Sequence, residues 1–130
     1  LFTGGHFEEL VRGAEEYVRL ANEGQYNGLE LAKGYVMLGC GLWAVQKHDE
    51  ALEAFHRAQE IRLEGELSRW AVWAFIKSGN LLDALGRRAD AVKDYKQAAA
   101  QPDHWDFRAI AKGLISKPYP STAPDRIPPP

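Results

Sequence analysis

Residues 35–58 read YVMLGCGLWAVQKHDEALEAFHRA, and this stretch decides the fold. The same spacing of large and small residues returns in residues 75–98, FIKSGNLLDALGRRADAVKDYKQA, with every matched position 40 residues later. Ala51, for example, matches Ala91. Identical internal offsets in two stretches predict one helix–turn–helix unit used twice, which indicates a helical repeat array.

The small and large residues at these offsets predict how the helices pack. Gly39 and Gly79 are expected where two helices cross so closely that a Cβ would not fit. Phe55 and Tyr95 are expected to fill the groove between neighbouring helices. A large side chain that faces a small one lets packed layers interdigitate.

The pattern resembles the tetratricopeptide repeat (TPR) family. That family combines a large residue, Leu, Gly and an apolar residue on one helix with Ala, an aromatic residue and Ala on the next. The first copy carries this motif as Tyr35-x-x-Leu38-Gly39-x-x-Leu42 followed by Ala51-x-x-x-Phe55-x-x-Ala58. In the second copy Ser78 replaces the leucine. The resemblance covers about residues 32–103 and implies antiparallel helix–turn–helix repeats in a right-handed superhelix.

The spacing of the two copies departs from the family. Its usual period is about 34 residues, whereas the copies here lie 40 residues apart. About six extra residues therefore fall around residues 62–69, where they lengthen the connection or the following helix.

Apolar residues recur at helical spacing through most of the chain, so we predict an all-α domain of about six helices over residues 1–116. It comprises an N-terminal helix, two helical hairpins and a last helix that looks like the family's capping helix. The predicted bounds are about 5–23 for the first helix, 32–62 and 67–102 for the hairpins, and 103–115 for the last helix.

Glycines and capping residues predict where the helices begin and end. Gly24 and Gly86 are placed as the left-handed residues that end two helices. Asp49 and Asp103 are placed as N-caps. Leu67 is assigned to the apolar side of the fourth helix.

The composition changes at Lys117, because residues 117–130 hold six of the seven prolines. We therefore expect an extended linker or tail with polyproline character. Such a segment can also be a ligand of SH3 or WW domains, although residues 126–130 form only a fragment of that motif.

Composition and charge are typical of a soluble globular protein, with 45% hydrophobic and 26% charged residues. The net charge of −2 argues against nucleic-acid binding through phosphate neutralisation. No apolar run approaches the roughly 20 residues of a membrane helix, so no membrane partner is expected. The single cysteine, Cys40, excludes an intramolecular disulfide and favours a reducing compartment, so we expect a cytoplasmic location.

No combination of residues predicts a catalytic, metal or cofactor site. Glu53-x-x-His56 has the spacing of a helical metal motif, but di-iron bundles need two such motifs and further glutamates. The run from Gly39 to Gly41 lies within a predicted helix and lacks the lysine of a phosphate-binding loop. We therefore expect a protein that is not an enzyme and uses no cofactor.

In tetratricopeptide arrays the first helices of successive repeats line a concave groove that receives an extended peptide or a partner helix. The resemblance implies such a groove here, in a non-catalytic adaptor or scaffold that binds a protein or peptide. The implied partner-binding residues are Lys33, Val36, Met37, Cys40, Trp43, Trp73, Ile76, Lys77, Asn80 and Asp83. Trp43 and Trp73 either line this groove or pack in the core. Val36 and Ile76 stand where the family's carboxylate-binding members carry lysine, which favours a more apolar ligand.

Two other functions stay open. Residues 1–66 hold twelve acidic and six basic side chains, whereas residues 67–130 hold six acidic and ten basic ones. Opposite halves of two chains could stack, so a self-associating structural repeat protein, a homo-oligomer, is the main alternative. A small helical enzyme is less favoured, because it would need carboxylates or histidines clustered in the groove.

Overall fold

The computed structural model describes residues 4–23, 28–63, 66–101 and 107–125. The prediction of an all-α chain with about six helices is confirmed for these residues. The helices are α1 (Gly4–Asn22), α2 (Gly28–Ala44), α3 (His48–Gln59), α4 (Arg69–Ala84), α5 (Arg88–Ala99) and α6 (Phe107–Ser116). Each helix packs against the next one, and α4 also packs against α2 and α6. Two layers result, with α2, α4 and α6 in one and α3 and α5 in the other.

The turns that close the two hairpins have the same backbone conformation. Gln46 and Gly86 are equivalent in the repeat, and both adopt left-handed φ angles, 67° and 78°. Lys47 N donates a hydrogen bond to Leu42 O at 2.8 Å, and the equivalent bond of the second hairpin is also 2.8 Å long. A left-handed residue at this place satisfies the last carbonyls of the preceding helix. Gly86 therefore ends α4 as predicted, and the sequence repeat is also a repeat of backbone geometry.

The close helix crossings predicted at Gly39 and Gly79 are confirmed. A Cβ on Gly39 would lie 2.5 Å from the Phe55 ring, and one on Gly79 would overlap the Tyr95 ring. Phe55 and Tyr95 are completely buried in the hydrophobic core. Each ring therefore rests directly on the backbone of the facing helix, which fixes α3 on α2 and α5 on α4.

The N-cap predicted at Asp49 is wrong. The helix α3 begins at His48, so Asp49 lies in its first turn, and no side chain caps this helix. A carboxylate in the first turn still faces the positive end of the helix dipole. A side-chain cap is found instead on α4, where Ser68 Oγ accepts a hydrogen bond from Ala71 N at 3.2 Å.

A short antiparallel β-hairpin occupies the connection between α3 and α4, where the sequence predicts extra residues. Its strands are β1 (Arg62–Leu63) and β2 (Glu66–Leu67), paired so that Arg62 lies opposite Leu67. The assignment of Leu67 to the following helix is wrong, since α4 begins at Arg69. Strands of two residues are too short to show an alternating pattern, so periodicity does not reveal them.

Residues 117–125 form neither helix nor strand, and their backbone bends at Lys117, Thr122, Ala123 and Asp125. They lie across α2 and α4, however, and the side chain of Tyr119 is buried there. We call residues 117–125 the C-terminal segment. It is packed on the repeats and is not a free linker. The helix ends predicted at Gly24 and Asp103, like residues 126–130, lie outside the described part of the chain.

The substitution Gly79→Ala is expected to lower the free energy of unfolding by up to about 2 kcal/mol. Overlap with the buried Tyr95 ring costs about 1–3 kcal/mol and outweighs the gain of about 1 kcal/mol in helix propensity. Gly13→Ala is the matched control, because nothing lies within 4 Å of a Cβ there. It should raise the stability by up to about 1 kcal/mol. Urea denaturation followed by circular dichroism measures both, and equal effects would contradict the crossing.

Candidate functional site

The ten residues predicted to line a partner groove all lie on α2 and α4. Seven of them are buried, namely Val36, Cys40, Trp43, Trp73, Ile76, Lys77 and Asn80. Lys33, Met37 and Asp83 are partly buried. Lys33 lies next to α1, with its ammonium group 6.0 Å from the centroid of the Tyr17 ring. On the face that the other residues form, Trp73 contacts α6, whereas Trp43, Lys77 and Asp83 contact the C-terminal segment.

Trp43 packs against the C-terminal segment. Its ring meets the Tyr119 ring edge-on, with the ring centroids 5.9 Å apart and the planes at 62°. Its indole Nε1 donates a hydrogen bond to Thr122 O at 3.0 Å. Trp43 and Tyr119 belong to the same buried hydrophobic cluster. Trp43 therefore binds a non-helical piece of chain through both its ring and its N–H group.

Trp73 packs against α6. Its ring centroid lies 5.4 Å from that of Phe107, with an angle of 31° between the planes. On another side, the Nζ of Lys77 lies 4.8 Å from the Trp73 centroid, within the range of a cation–π contact. Only 3% of Trp73 is exposed, so this side chain belongs to the core.

Lys77 is a buried cation that pairs with the C-terminal segment. Its side chain is 1% exposed, and its Nζ lies 3.0 Å from Asp125 Oδ1. Transfer of an ammonium group out of water is unfavourable unless an anion or other acceptors replace the lost water. The side chain of Asp125 is 62% exposed, so the anion reaches Lys77 from the solvent side.

Asp83 connects α4 with α5, α6 and the C-terminal segment. Its carboxylate accepts hydrogen bonds from Arg88 at 3.0 Å, from the Tyr95 hydroxyl at 2.7 Å and from Tyr119 N at 3.1 Å. Arg88 also donates to Ile115 O in α6, at 2.7 Å. Burial and the hydrogen bond to Asp83 raise the pKa of Tyr95, which keeps the phenol protonated as a donor.

The second repeat carries a polar pair where the first has two apolar residues. Leu38 and Ala54 of the first repeat correspond to Ser78 and Asp94 of the second. Ser78 Oγ donates a hydrogen bond to Asp94 Oδ2 at 2.6 Å, and burial raises the pKa of Asp94. Ser78, which stands in place of the leucine of the motif, is therefore hydrogen-bonded to a polar residue on the facing helix α5.

Cys40 is completely buried in the same part of the core. Burial raises the pKa of the Cys40 thiol to about 12, while the nearby charges of Lys77 and Asp125 act on it in opposite directions. A thiol that stays protonated is a poor nucleophile and packs as a small apolar group.

A cavity of about 470 Å³ remains between α4, α6 and the C-terminal segment. Ile76 and Leu114 contribute apolar surface to it, and Lys77 and Asn80 contribute polar groups. Asn80 Oδ1 also lies 3.1 Å from the Tyr95 hydroxyl. Ligand pockets typically have this size and this combination of apolar lining with few polar groups. The cavity can therefore accept side chains of a ligand bound in the groove.

The sequence predicts these positions on α2 and α4 but not the residues that they bind. Tyr119 and Asp125 supply the ring and the carboxylate, and neither belongs to a periodic pattern or to the repeat. One signal is present: Tyr119 is the only aromatic residue in residues 117–130 and stands between two prolines. An isolated aromatic residue of this kind is a candidate anchor.

The described residues show no cluster suited to metal chemistry. Glu53 pairs with Arg57 at 3.1 Å on the surface of α3, and His56 is exposed on the same helix. Within residues 4–23, 28–63, 66–101 and 107–125, no group of three or more His, Cys, Asp or Glu side chains could hold a metal ion. In the same ranges no helix has the length and apolar character needed to cross a membrane.

Comparison of the chain with protein-family models, with curated proteins and with solved structures gives no match. The resemblance to tetratricopeptide repeats therefore stays a prediction from the sequence motif. The crossings at Gly39 and Gly79 give that motif a physical reason, since each requires a residue without a side chain.

The substitution Asp83→Asn is expected to lower the free energy of unfolding by about 2 to 4 kcal/mol, because it removes the anion from a buried group of donors. Asp90→Asn is the matched control. Asp90 pairs with Arg87 at 2.9 Å in the first turn of α5, and both side chains are about half exposed, so its loss should cost at most about 1 kcal/mol. Urea denaturation compares the two variants, and equally small effects would show that Asp83 does not hold these parts together.

The thiol of Cys40 is expected to resist labelling in the folded chain. At pH 8 a thiol with a pKa of about 12 is ionised to about one part in ten thousand. An aromatic disulfide reagent should therefore react orders of magnitude more slowly with the folded chain than with the chain unfolded in guanidinium chloride. Rapid stoichiometric labelling of the folded chain would contradict the burial of Cys40.

Proposed function

We propose that the chain is a non-catalytic protein–protein interaction module that binds an extended peptide segment of a partner in the groove over α2 and α4. The position of the chain's own residues 118–125 supports this proposal. They lie over α2 and α4 and contact these helices through main-chain and side-chain groups. A surface that holds one non-helical segment has the chemistry to hold another.

The contacts to main-chain groups favour an extended ligand over a partner helix. Trp43 donates to a carbonyl oxygen of the segment, and Asp83 accepts from one of its N–H groups. In a helix those groups are bonded to each other, whereas in an extended peptide they are available to a partner. The groove therefore suits a linear peptide or a strand-like tail.

The remaining features of the groove are those of a recognition site. Trp43 offers an aromatic anchor, Lys77 and Asp83 offer buried charges of opposite sign, and the adjacent cavity offers space. Aromatic anchors in well-packed surroundings supply much of the binding energy in protein interfaces. We place this adaptor in a reducing compartment such as the cytoplasm, because its single cysteine is packed in the core as a thiol.

Peptides selected from a random display library on the full chain are expected to bind in this groove. The measurement is the NMR spectrum of the isotope-labelled chain. The indole N–H signal of Trp43 should shift when a selected peptide is added, whereas that of Trp70, at the start of α4, should stay in place. The variants Trp43→Phe and Trp70→Phe assign the two signals.

NMR signal shifts are used to locate the bound peptide because the peptide affinities of groove variants would not reveal the binding site. The C-terminal segment and an added peptide would use the same groove atoms, so a substitution there weakens both, and the two effects cancel in the apparent affinity. Selected peptides that leave the Trp43 signal unchanged and instead shift signals of Lys93 and Lys96, both exposed on α5, would contradict the proposal.

A further inference from the structure

Two of the contacts that hold the C-terminal segment are made to main-chain groups, which every peptide possesses. Trp43 Nε1 donates to Thr122 O at 3.0 Å, and Tyr119 N donates to Asp83 Oδ2 at 3.1 Å. These contacts fix the direction of the segment and its depth in the groove. They do not select a sequence, so selection must come from side chains.

The first such side chain is the Tyr119 ring. It is 7% exposed and lies edge-on to Trp43, with the centroids 5.9 Å apart. Its hydroxyl donates to Ala123 O within the segment, and burial raises its pKa, so the phenol stays neutral. A large, flat side chain is required to cover the Trp43 ring in this way. This position of the segment therefore selects an aromatic residue.

The second such side chain is the Asp125 carboxylate, which lies 3.0 Å from the buried Nζ of Lys77. A neutral residue in its place would leave a buried ammonium group without its anion, which is strongly unfavourable. Asp125 follows Tyr119 by six positions. The span is set by Trp43 and Lys77, which stand on two helices that pack against each other.

Prolines restrict the backbone of the segment between and around these anchors. Pro118, Pro120 and Pro124 each have a fixed φ angle and no N–H donor. A chain restricted in this way loses less conformational entropy when it binds. A peptide with prolines at similar positions would share the advantage.

A short covalent tether holds the segment at the groove. The helix α6 ends at Ser116, three residues before Tyr119. A connection this short gives an effective concentration of the order of millimolar. A segment of modest intrinsic affinity then stays bound, and any separate peptide has to compete with it.

We infer that residues 119–125 are an internal ligand that closes the groove. The partner segment is a proline-containing peptide in which a carboxylate follows an aromatic residue by six positions. This peptide binds by displacing the internal ligand. This inference rests on the proposed function, because it names the ligand class and the regulation of the same groove.

The test uses the full chain and a fluorescent peptide of residues 117–125 with acetylated and amidated ends. The double variant Tyr119→Ala/Asp125→Asn of the chain should bind this peptide at least about tenfold more tightly than the unaltered chain, because its own segment competes less. Thr122→Ala is the matched control. It removes an exposed side chain and keeps the carbonyl oxygen that Trp43 binds, so this variant should bind as weakly as the unaltered chain. Fluorescence anisotropy measures the affinities.

The same substitutions placed in the peptide test the two anchors. Peptides with Tyr119→Ala or Asp125→Asn should bind the double variant of the chain at least about tenfold more weakly than the unaltered peptide. A peptide with Thr122→Ala should bind unchanged. If circular dichroism shows that Tyr119→Ala unfolds the chain, the exposed single substitution Asp125→Asn replaces the double variant, with a smaller increase expected in the same direction.

Equal binding of the peptide to all chains, or equal binding of peptides with and without the anchors, overturns the inference. If the double variant fails to bind the 117–125 peptide but binds library-selected peptides at Trp43, the proposed function stands and the inference falls. If neither kind of peptide binds any of the chains, both fall.

Discussion

The buried carboxylate of Asp83 is the group on which the C-terminal half of the molecule depends. It accepts hydrogen bonds from Arg88 and Tyr95 of α5 and from the main chain of Tyr119. Arg88 in turn holds Ile115 O of α6. A carboxylate out of water is stable only where several donors converge on it. The bonds to this one carboxylate therefore bring α5, the end of α6 and the C-terminal segment together at the end of α4. The segment enters the groove at this place.

Two copies of one backbone carry different side chains, and this difference gives the groove two unlike halves. Trp43 and Asp83 occupy equivalent positions of the repeat, as do Met37 and Lys77. The first repeat therefore presents an aromatic ring and an indole N–H to the segment, whereas the second presents a carboxylate and an ammonium group. The glycine–aromatic crossings hold the helix pairs at the same close distance in both copies. The residues of the inner face that contact the C-terminal segment can thus differ between the two copies while the packing behind them stays the same.

The helices and their pairing could be predicted from the sequence because helical periodicity and the spacing of small and large residues are local properties. The repeat also fixes which positions of α2 and α4 face inward, although Lys33 lies over α1 instead. The strands β1 and β2 are too short to carry a period. The contacts of Tyr119 with Trp43 and of Asp125 with Lys77 each join single residues far apart in the chain. The prolines around Tyr119 mark it as a candidate anchor, but nothing near Tyr119 or Asp125 in the sequence indicates which residue it contacts, so the closed groove is visible only in the three-dimensional structure.

Release of the C-terminal segment would affect the two buried charges differently. Asp83 would keep its two donors from α5, so its carboxylate would stay satisfied. Lys77 would lose the carboxylate of Asp125 and keep the Trp73 ring at 4.8 Å, and a cation–π contact is a weaker substitute for an ion pair when the cation is out of water. The open groove would therefore carry a positive charge in need of an anion, next to an apolar wall. Asp125 is mostly exposed, so a carboxylate of a partner can replace it at the outer edge of the groove. The buried Tyr119 ring can stay bound at the inner edge during this exchange.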